Sequence, residues 1–292
     1  MPVAKSMGWI PDLPAVMSGV LNRYMNKYEV WLLKNADALI FQSKLSQDMY
    51  REHLYFRSSD RPEALIFNGV DLDEFHPRDG AKLDGIPAVI ISAAIYRLHK
   101  RLGQAIQLIN RLAADYPRIR LHVLGAFDPL VKETVSALDT SRCVFHGRMH
   151  PSDLATYYGG ADIQFSLAVF DPCPNVVCEG LASGLPVLTP VESGAAELIG
   201  PANQHWAVSE GISLRKFRSS FVADAIPPLP VERYVDAFRL IMDGLAEHRR
   251  RARARAEAVL DIRTVAVSYN DFLASAFSSR NVRKPHDKRA SP

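Results

Sequence analysis

The sequence predicts an α/β protein: a doubly wound parallel sheet preceded by a thinner α/β unit. Three observations predict this. Between residues 87 and 199, short apolar runs alternate with segments of helical spacing. Glycine and proline punctuate most changes from one to the other. The 292 residues are 48% apolar and 23% charged, which suits about two globular domains with sizeable cores.

The elements follow in chain order. Leu13–Lys34 reads as a helix, with Val16, Val20, Tyr24, Trp31 and Leu32 among its apolar positions. Ala38–Gln42 reads as a strand, and Ser43 can cap a helix from Lys44 to Leu54. Glu63–Phe67 is a second strand, after which Asn68-Gly69 turns the chain into Val70-Asp71-Leu72-Asp73-Glu74-Phe75-His76-Pro77. Two strands are too few to bury both faces of a Rossmann-like sheet. Pro87 to Ile95 is an apolar run, read as a buried strand of the kind a parallel sheet covered on both faces requires. From Leu102, apolar residues recur at Ala105, Ile106, Ile109, Leu112 and Ala113, and Pro117 closes that helix. Ile119–Leu124 is the next strand, ended by Gly125. A helix near Pro129–Leu138 and a short strand Cys143–Phe145 follow. His150-Pro151-Ser152-Asp153 opens a helix with proline in its first turn, and Gly159-Gly160 stop it. Asp162–Ala168, Asn175–Ser183, Pro186–Thr189 and Gly194–Ile199 continue the alternation. From Ala202 to Pro230 no period is visible, and Pro227-Pro228 with Pro230 mark a loop. Val231–Glu247 is helical. Helices continue through an Arg-rich stretch and from Thr264 to Phe277.

Composition narrows the function classes. No run of about 18 apolar residues exists, so no spanning helix is expected. No basic segment followed by an apolar run opens the chain, so no secretory signal is expected. Cys143, Cys173 and Cys178 form neither a metal spacing nor an even disulfide set, which points to a reducing, cytoplasmic compartment. Cys143 and Cys178 read as small buried hydrophobes. The net charge of +3 is uneven. In Ser279–Pro292, five basic residues against Asp287 give +4, and in Glu247–Glu257 five arginines against two glutamates give +3, so the remainder carries −4. The plain reading is a solvated helix face followed by a disordered tail. Such patches also suit a nucleic acid or an anionic membrane surface, and of these a peripheral contact with the inner membrane face is the alternative kept. No nucleic-acid partner is expected.

The segment Asp171-Pro172-Cys173-Pro174-Asn175-Val176-Val177-Cys178-Glu179 is the chemical centre of the sequence. It sits between an apolar strand and a helix, where a parallel sheet binds ligands and backbone N–H groups at the helix start are free. One carboxylate lies in the loop and the other one turn into the helix. Upstream, Tyr96-Arg97-Leu98-His99-Lys100-Arg101 follows the first strand of the main sheet with a cluster of cations. It lacks the Gly-X-Gly-X-X-Gly run of a nicotinamide-dependent oxidoreductase.

Three features, in order, resemble the retaining GT-B glycosyltransferases of the family-4 type, the glycosyl transferases group 1. Asn68-Gly69-Val70-Asp71 with Phe75 and Pro77 is similar to the family's interdomain linker. Arg97 to Arg101 is similar to its phosphate-binding loop, and Asp171 to Glu179 to its two-acid motif. A Gly-Leu-Pro-Val strand and the turn Glu192-Ser193-Gly194-Ala195-Ala196-Glu197 follow. The resemblance covers residues 37 to about 200.

The resemblance implies a GT-B-like fold: a complete C-terminal Rossmann-like parallel sheet plus a truncated N-terminal Rossmann-like domain. The expected divisions are 1–76 for the shortened acceptor-side domain and linker and 77–262 for the nucleotide-sugar domain. Residues 263–278 would form a helix crossing back, and 279–292 a basic tail. The resemblance implies transfer of a sugar from a nucleotide-diphosphate sugar, with retention, to a saccharide, lipid-linked or small-molecule acceptor. Arg97 and Lys100 would neutralise the diphosphate, and Arg101 could take the place of Lys100, because the spacing is tighter than usual. Asp171, where the family has Glu, would hold the sugar. Glu179 would accept hydrogen bonds from the ribose. Pro174, Asn175 and Val176 would bring backbone groups to the donor, as would Ser193 and Gly194 at the next helix start. Neither metal nor cofactor is implied. The family's acceptor-side histidine has no counterpart here, and His99, His146 and His150 read as structural. The alternative is a non-catalytic donor-binding fragment or one part of a split transferase.

Overall fold

The structure, a computed structural model, describes residues 28, 31–32, 35–53, 61–78, 82–169, 171–213 and 227–282. Most of the helix expected over Leu13–Lys34 and the tail from residue 283 lie outside them.

The first unit is small. β1 (Leu39–Phe41) and β2 (Glu63–Leu65) pair in parallel, and α1 (Lys44–His53) makes the crossover between them. Leu39 and Phe41 are buried, with the Tyr50 ring 6.0 Å from that of Phe41.

The main sheet has six strands: β3 (Ala88–Tyr96), β4 (Arg120–Phe127), β5 (Cys143–Gly147), β6 (Ile163–Phe165), β7 (Val187–Pro190) and β8 (Ala207–Val208). Their order is β5-β4-β3-β6-β7-β8, and every neighbouring pair is parallel. The chain steps outward from β3 to β5, returns beside β3 as β6, and then steps the other way. The order therefore reverses between β3 and β6, and the crevice above their carboxyl ends is where such sheets bind ligands. The apolar run of β3 buries Val89, Ile90 and Ile91 between two helical layers.

β4 does not end at Gly125 but runs through it to Phe127. Its pairing with β3 slips between Ser92 and Ile95, and Gly125 has φ +131°. A Cβ there would lie 1.8 Å from the Ala93 carbonyl oxygen, so glycine is what lets the irregular pair close up. β8, two residues long, falls in the stretch where no period is visible.

The helices that cover this sheet are α2 (Leu102–Leu112), α3 (Pro129–Ser136), α4 (Pro151–Gly160), α5 (Asn175–Ala182), α6 (Gly194–Ile199), α7 (Val231–Asp243), α8 (Leu245–Val259) and α9 (Ile262–Val282). Gly244 splits the helix expected over Val231–Glu247, and α9 runs to Val282, past the expected Phe277. No helix among the described residues is long and apolar enough to cross a membrane.

The Arg-rich stretch is not simply a solvated face. From α8, Arg249 donates to the Ala161 carbonyl at 2.6 Å, Arg253 to Ala182 at 2.7 Å and Arg255 to Leu198 at 2.8 Å. These carbonyls stand at the carboxyl ends of α4, α5 and α6, whose last C=O groups have no helical partners and attract cations. Three arginines thus tie three helices to one.

The linker is pinned as well. Val70 N–H donates to the Leu260 carbonyl at 2.8 Å, and Ile262 N–H to the Val70 carbonyl at 3.0 Å. The Glu197 carboxylate in α6 accepts from the N–H groups of Lys44 and Leu45, both at 2.8 Å, capping α1 from across the two units.

Candidate functional site

Two loops meet above the point where the strand order reverses. One leaves β3 as a short 3-10 turn, Leu98–Lys100. The other leaves β6 and leads to Pro174, the N-cap of α5. Lys100 Nζ donates to Asp171 Oδ2 at 2.5 Å, joining them. Both side chains are partly buried, so the pair is neither sealed in the core nor free in water.

Arg97 starts the same turn. His99 lies within the field of both cations. Burial first, then the Lys100 ammonium, then Arg97 push its imidazole down to about 4, with Asp171 pulling the other way. The ring is therefore neutral at pH 7 and adds no charge to the cluster.

Arg101 does not stand in for Lys100. It takes a left-handed backbone, φ +60°, which turns its side chain into the core. Its guanidinium is fully buried and bidentate to Glu210, at 2.8 and 2.9 Å. It also donates to the carbonyls of Leu167 and Pro227, at 3.2 and 2.7 Å. The Tyr234 hydroxyl donates to Glu210 Oε1 at 2.6 Å. Glu192 in turn accepts from the N–H groups of Glu210, Gly211 and Ile212. Arg101 anchors the turn that presents Lys100, and two sequence-adjacent cations have opposite fates.

The two acids of the Asp171–Glu179 segment have different surroundings. Glu179 projects from α5, and burial raises its carboxyl above the usual range. The Tyr158 phenol counters this, and Glu74 of the linker adds to it. Glu179 Oε2 is buried without a hydrogen-bond partner. A buried carboxylate oxygen with nothing to accept from is an open position for a ligand hydroxyl.

Asn175 and Val176 form the first turn of α5, and Val177 N–H donates to the Pro174 carbonyl at 2.9 Å. Asn68 of the linker donates through Nδ2 to Asn175 Oδ1 at 2.6 Å and to the Cys173 carbonyl at 3.2 Å. Gly194 lies behind the loop rather than presenting a free amide, and the Ser193 hydroxyl caps the helix. Gly194 N–H donates to the Asp171 carbonyl at 2.8 Å, and Ser193 Oγ accepts from Ala195 N–H at 3.3 Å. A Cβ on Gly194 would fall 1.8 Å from the Pro172 carbonyl oxygen, so only glycine permits this approach.

Two other histidines have local tasks. His150 accepts from Ser152 N–H at the start of α4, and His146 Nε2 lies 3.0 Å from His122 Nδ1. Among the described residues, no group of three or more His, Cys, Asp or Glu is placed to hold a metal ion.

Sequence reasoning missed three supports of the site. Glu210 lies in the aperiodic stretch, where nothing marked it. Tyr158 reads as one more apolar residue of α4. Asn68 was visible as a turn residue, but its reach into the two-acid loop was not.

A family model described as glycosyl transferases group 1 matches residues 76–217. Glycogen synthase of Mycobacterium tuberculosis is 25% identical over 292 residues, covering 96% of this chain and 62% of that protein. The lipopolysaccharide core biosynthesis mannosyltransferase LpcC of Rhizobium leguminosarum bv. viciae is 24% identical over 253 residues, 81% of this chain and 68% of that one. Sucrose-phosphate synthase from Thermosynechococcus elongatus superposes with a TM-score of 0.66 at 20% identity, over 88% of this chain and 62% of that one. Anabaena HepE, solved in complex with UDP and glucose, superposes with a TM-score of 0.64 at 18% identity, over 86% and 67%. The chain thus has the GT-B fold of these structures, and it spans about three fifths of the length of glycogen synthase.

Proposed function

We propose that the chain, whose residues 76–217 match the glycosyl transferases group 1 model, transfers a sugar from a nucleoside-diphosphate sugar to an acceptor, with retention of anomeric configuration. The observation that carries this is the Lys100–Asp171 pair at the crevice where the sheet order reverses. A cation and an acid in contact there can divide a donor between them. Lys100 and Arg97 take the diphosphate, whose charge grows as it leaves. Asp171 accepts from hydroxyls of the sugar. Glu179, with its open Oε2, accepts from the ribose. The first turn of α5, at Asn175 and Val176, offers amides toward sugar or phosphate oxygens. Two side-chain cations supply the charge that a metal supplies elsewhere, so the reading takes no metal. Retention fits attack on the face the diphosphate leaves, with the departing phosphate accepting the acceptor's proton. The acceptor is a saccharide, a lipid-linked saccharide or a small molecule, met in the cytoplasm or at the inner membrane face.

A thermal-shift panel of uridine, guanosine and adenosine diphosphates and their sugars tests the donor site, with Glu179→Ala as control. One nucleoside diphosphate raises Tm in the parent and not in the variant. If none does, or if the variant responds equally, the assignment fails. NMR of the product's anomeric proton tests retention.

A second reading keeps the donor site without independent transfer: a binding module, or one part of a split transferase. That the first unit pairs just β1 with β2 among the described residues favours it. Release of nucleoside diphosphate by the chain alone, dependent on an added acceptor, would exclude it.

A further inference from the structure

Cys173 and Cys178 occupy a particular pair of positions. Pro174 is the N-cap of α5, so Cys173 immediately precedes the cap and Cys178 is the fourth residue of the helix. Residues so placed pack against each other and fix the angle at which the chain enters the helix. Ordinarily both are hydrophobic; here both are thiols. One linker residue touches both of them. Asn68 N–H donates to Cys173 Sγ at 3.5 Å, and Cys178 Sγ donates to the Asn68 carbonyl at 3.6 Å. Both thiols are buried, and the neighbouring Cys178 thiol shifts Cys173 toward ionisation while Cys173 and burial hold the proton on Cys178. The third cysteine, Cys143 on β5, is pushed up to about 11 by burial, which makes it a poor nucleophile.

We propose that Cys173 and Cys178 form a peroxide-sensitive dithiol whose disulfide switches the donor loop off. The Cys173 thiolate attacks a hydroperoxide; an S–O bond forms, the O–O bond breaks, and hydroxide leaves. Cys178 then attacks the sulfenic sulfur; the S–S bond forms, the S–O bond breaks, and the leaving hydroxide takes the thiol proton as water. With hydrogen peroxide, two thiols lose two electrons and two protons, and the peroxide becomes two waters. The bond removes the thiol proton that Cys178 donates to the Asn68 carbonyl and fixes the Cα separation of the two cysteines at about 4.4–6.8 Å. Asp171 is two residues before Cys173 and Glu179 is next to Cys178, so both acids shift with it. This effect on the donor rests on the proposed function above; the thiol chemistry does not.

The test uses the full chain carrying Cys143→Ser, which removes the competing thiol. The protein is treated with hydrogen peroxide, then followed by intact mass, by alkylation and by thermal shift against the nucleoside diphosphate found above. The expected result is a loss of two hydrogens, protection of both cysteines from alkylation, and a rise of at least about tenfold in half-saturating ligand concentration, all reversed by dithiothreitol. Adding Cys178→Ser should instead leave a dimedone-reactive sulfenic acid on Cys173. Thiols that stay alkylatable, or a disulfide that leaves ligand response unchanged, overturn the switch. If the reduced protein answers no nucleoside diphosphate, the donor reading fails and the mass alone decides the dithiol chemistry.

Discussion

Lys100 Nζ lies 2.5 Å from Asp171 Oδ2, and the two residues come from loops that leave the sheet on either side of the point where its strand order reverses. The pair joins the two loops directly across the crevice. A diphosphate would share Lys100 with Asp171 rather than meet a preformed gap.

Lys100→Met should therefore separate stability from binding. The pair is partly exposed, so its loss should cost about 1 kcal/mol of stability or less. A charged contact to the diphosphate is worth about 1.5–3 kcal/mol, so half-saturation should rise by roughly 10- to 100-fold. Thermal shift with the nucleoside diphosphate, and with pyrophosphate alone, reads this. An unchanged pyrophosphate response would remove Lys100 from the phosphate site.

Glu179→Gln should move stability and binding in opposite directions. Burial disfavours the charged carboxylate, and Oε2 has no partner, so a neutral amide of the same size should leave Tm unchanged or raise it. The ribose would lose a charged acceptor, and nucleoside diphosphate binding should weaken by roughly tenfold or more. Pyrophosphate, which has no ribose, should bind as before. A parallel loss of both ligands would show that Glu179 shapes the loop rather than contacting the sugar.

The parts of the molecule legible in the sequence are those set by burial on two faces. β3 and α2 announce themselves because a covered parallel strand must be apolar throughout and its covering helix apolar on one side. The two acids were legible because a strand, a Pro-rich loop and a helix follow in order around them. What escaped depends on contacts distant in sequence. Lys100 and Arg101 are adjacent cations, and only the buried Glu210, 109 positions on, decides which of them turns inward. Ser193 and Gly194 looked like a second amide cradle. Their amide and hydroxyl are used instead on the Asp171 carbonyl and on Ala195. The Arg-rich helix looked solvated because the carbonyls it caps belong to three other helices.

Arg101→Met should be among the most damaging single changes outside the apolar core. It leaves Glu210 buried without its guanidinium, a defect worth about 3–5 kcal/mol. At about 2–4 °C per kcal/mol, Tm should fall by roughly 6–20 °C. Adding Glu210→Gln removes the stranded charge and should recover part of that loss. If the double variant is no more stable than Arg101→Met, the guanidinium matters for its bonds to Leu167 and Pro227 rather than for the ion pair.

His99 should make the fold sensitive to acid. Its imidazole is held down to about 4 in the folded protein, against an ordinary 6.5. Between these values the unfolded chain takes up a proton that the folded chain refuses, so stability falls as pH drops from 6.5 to 4 and levels off below. The shift corresponds to up to about 3 kcal/mol. Burial depresses His122, His146, His205 and His248 as well, and they add to the slope with the same sign. Glu179, raised by burial, opposes it, because its folded form takes up the proton first. The contribution of His99 is therefore the difference between two curves. Urea unfolding of the parent and of His99→Gln, followed from pH 7 to pH 4, should converge on acidification as the variant loses less. Curves that stay parallel across the window would mean that His99 is protonated in the folded protein, and that the Lys100–Asp171 cluster carries one more positive charge than its geometry indicates.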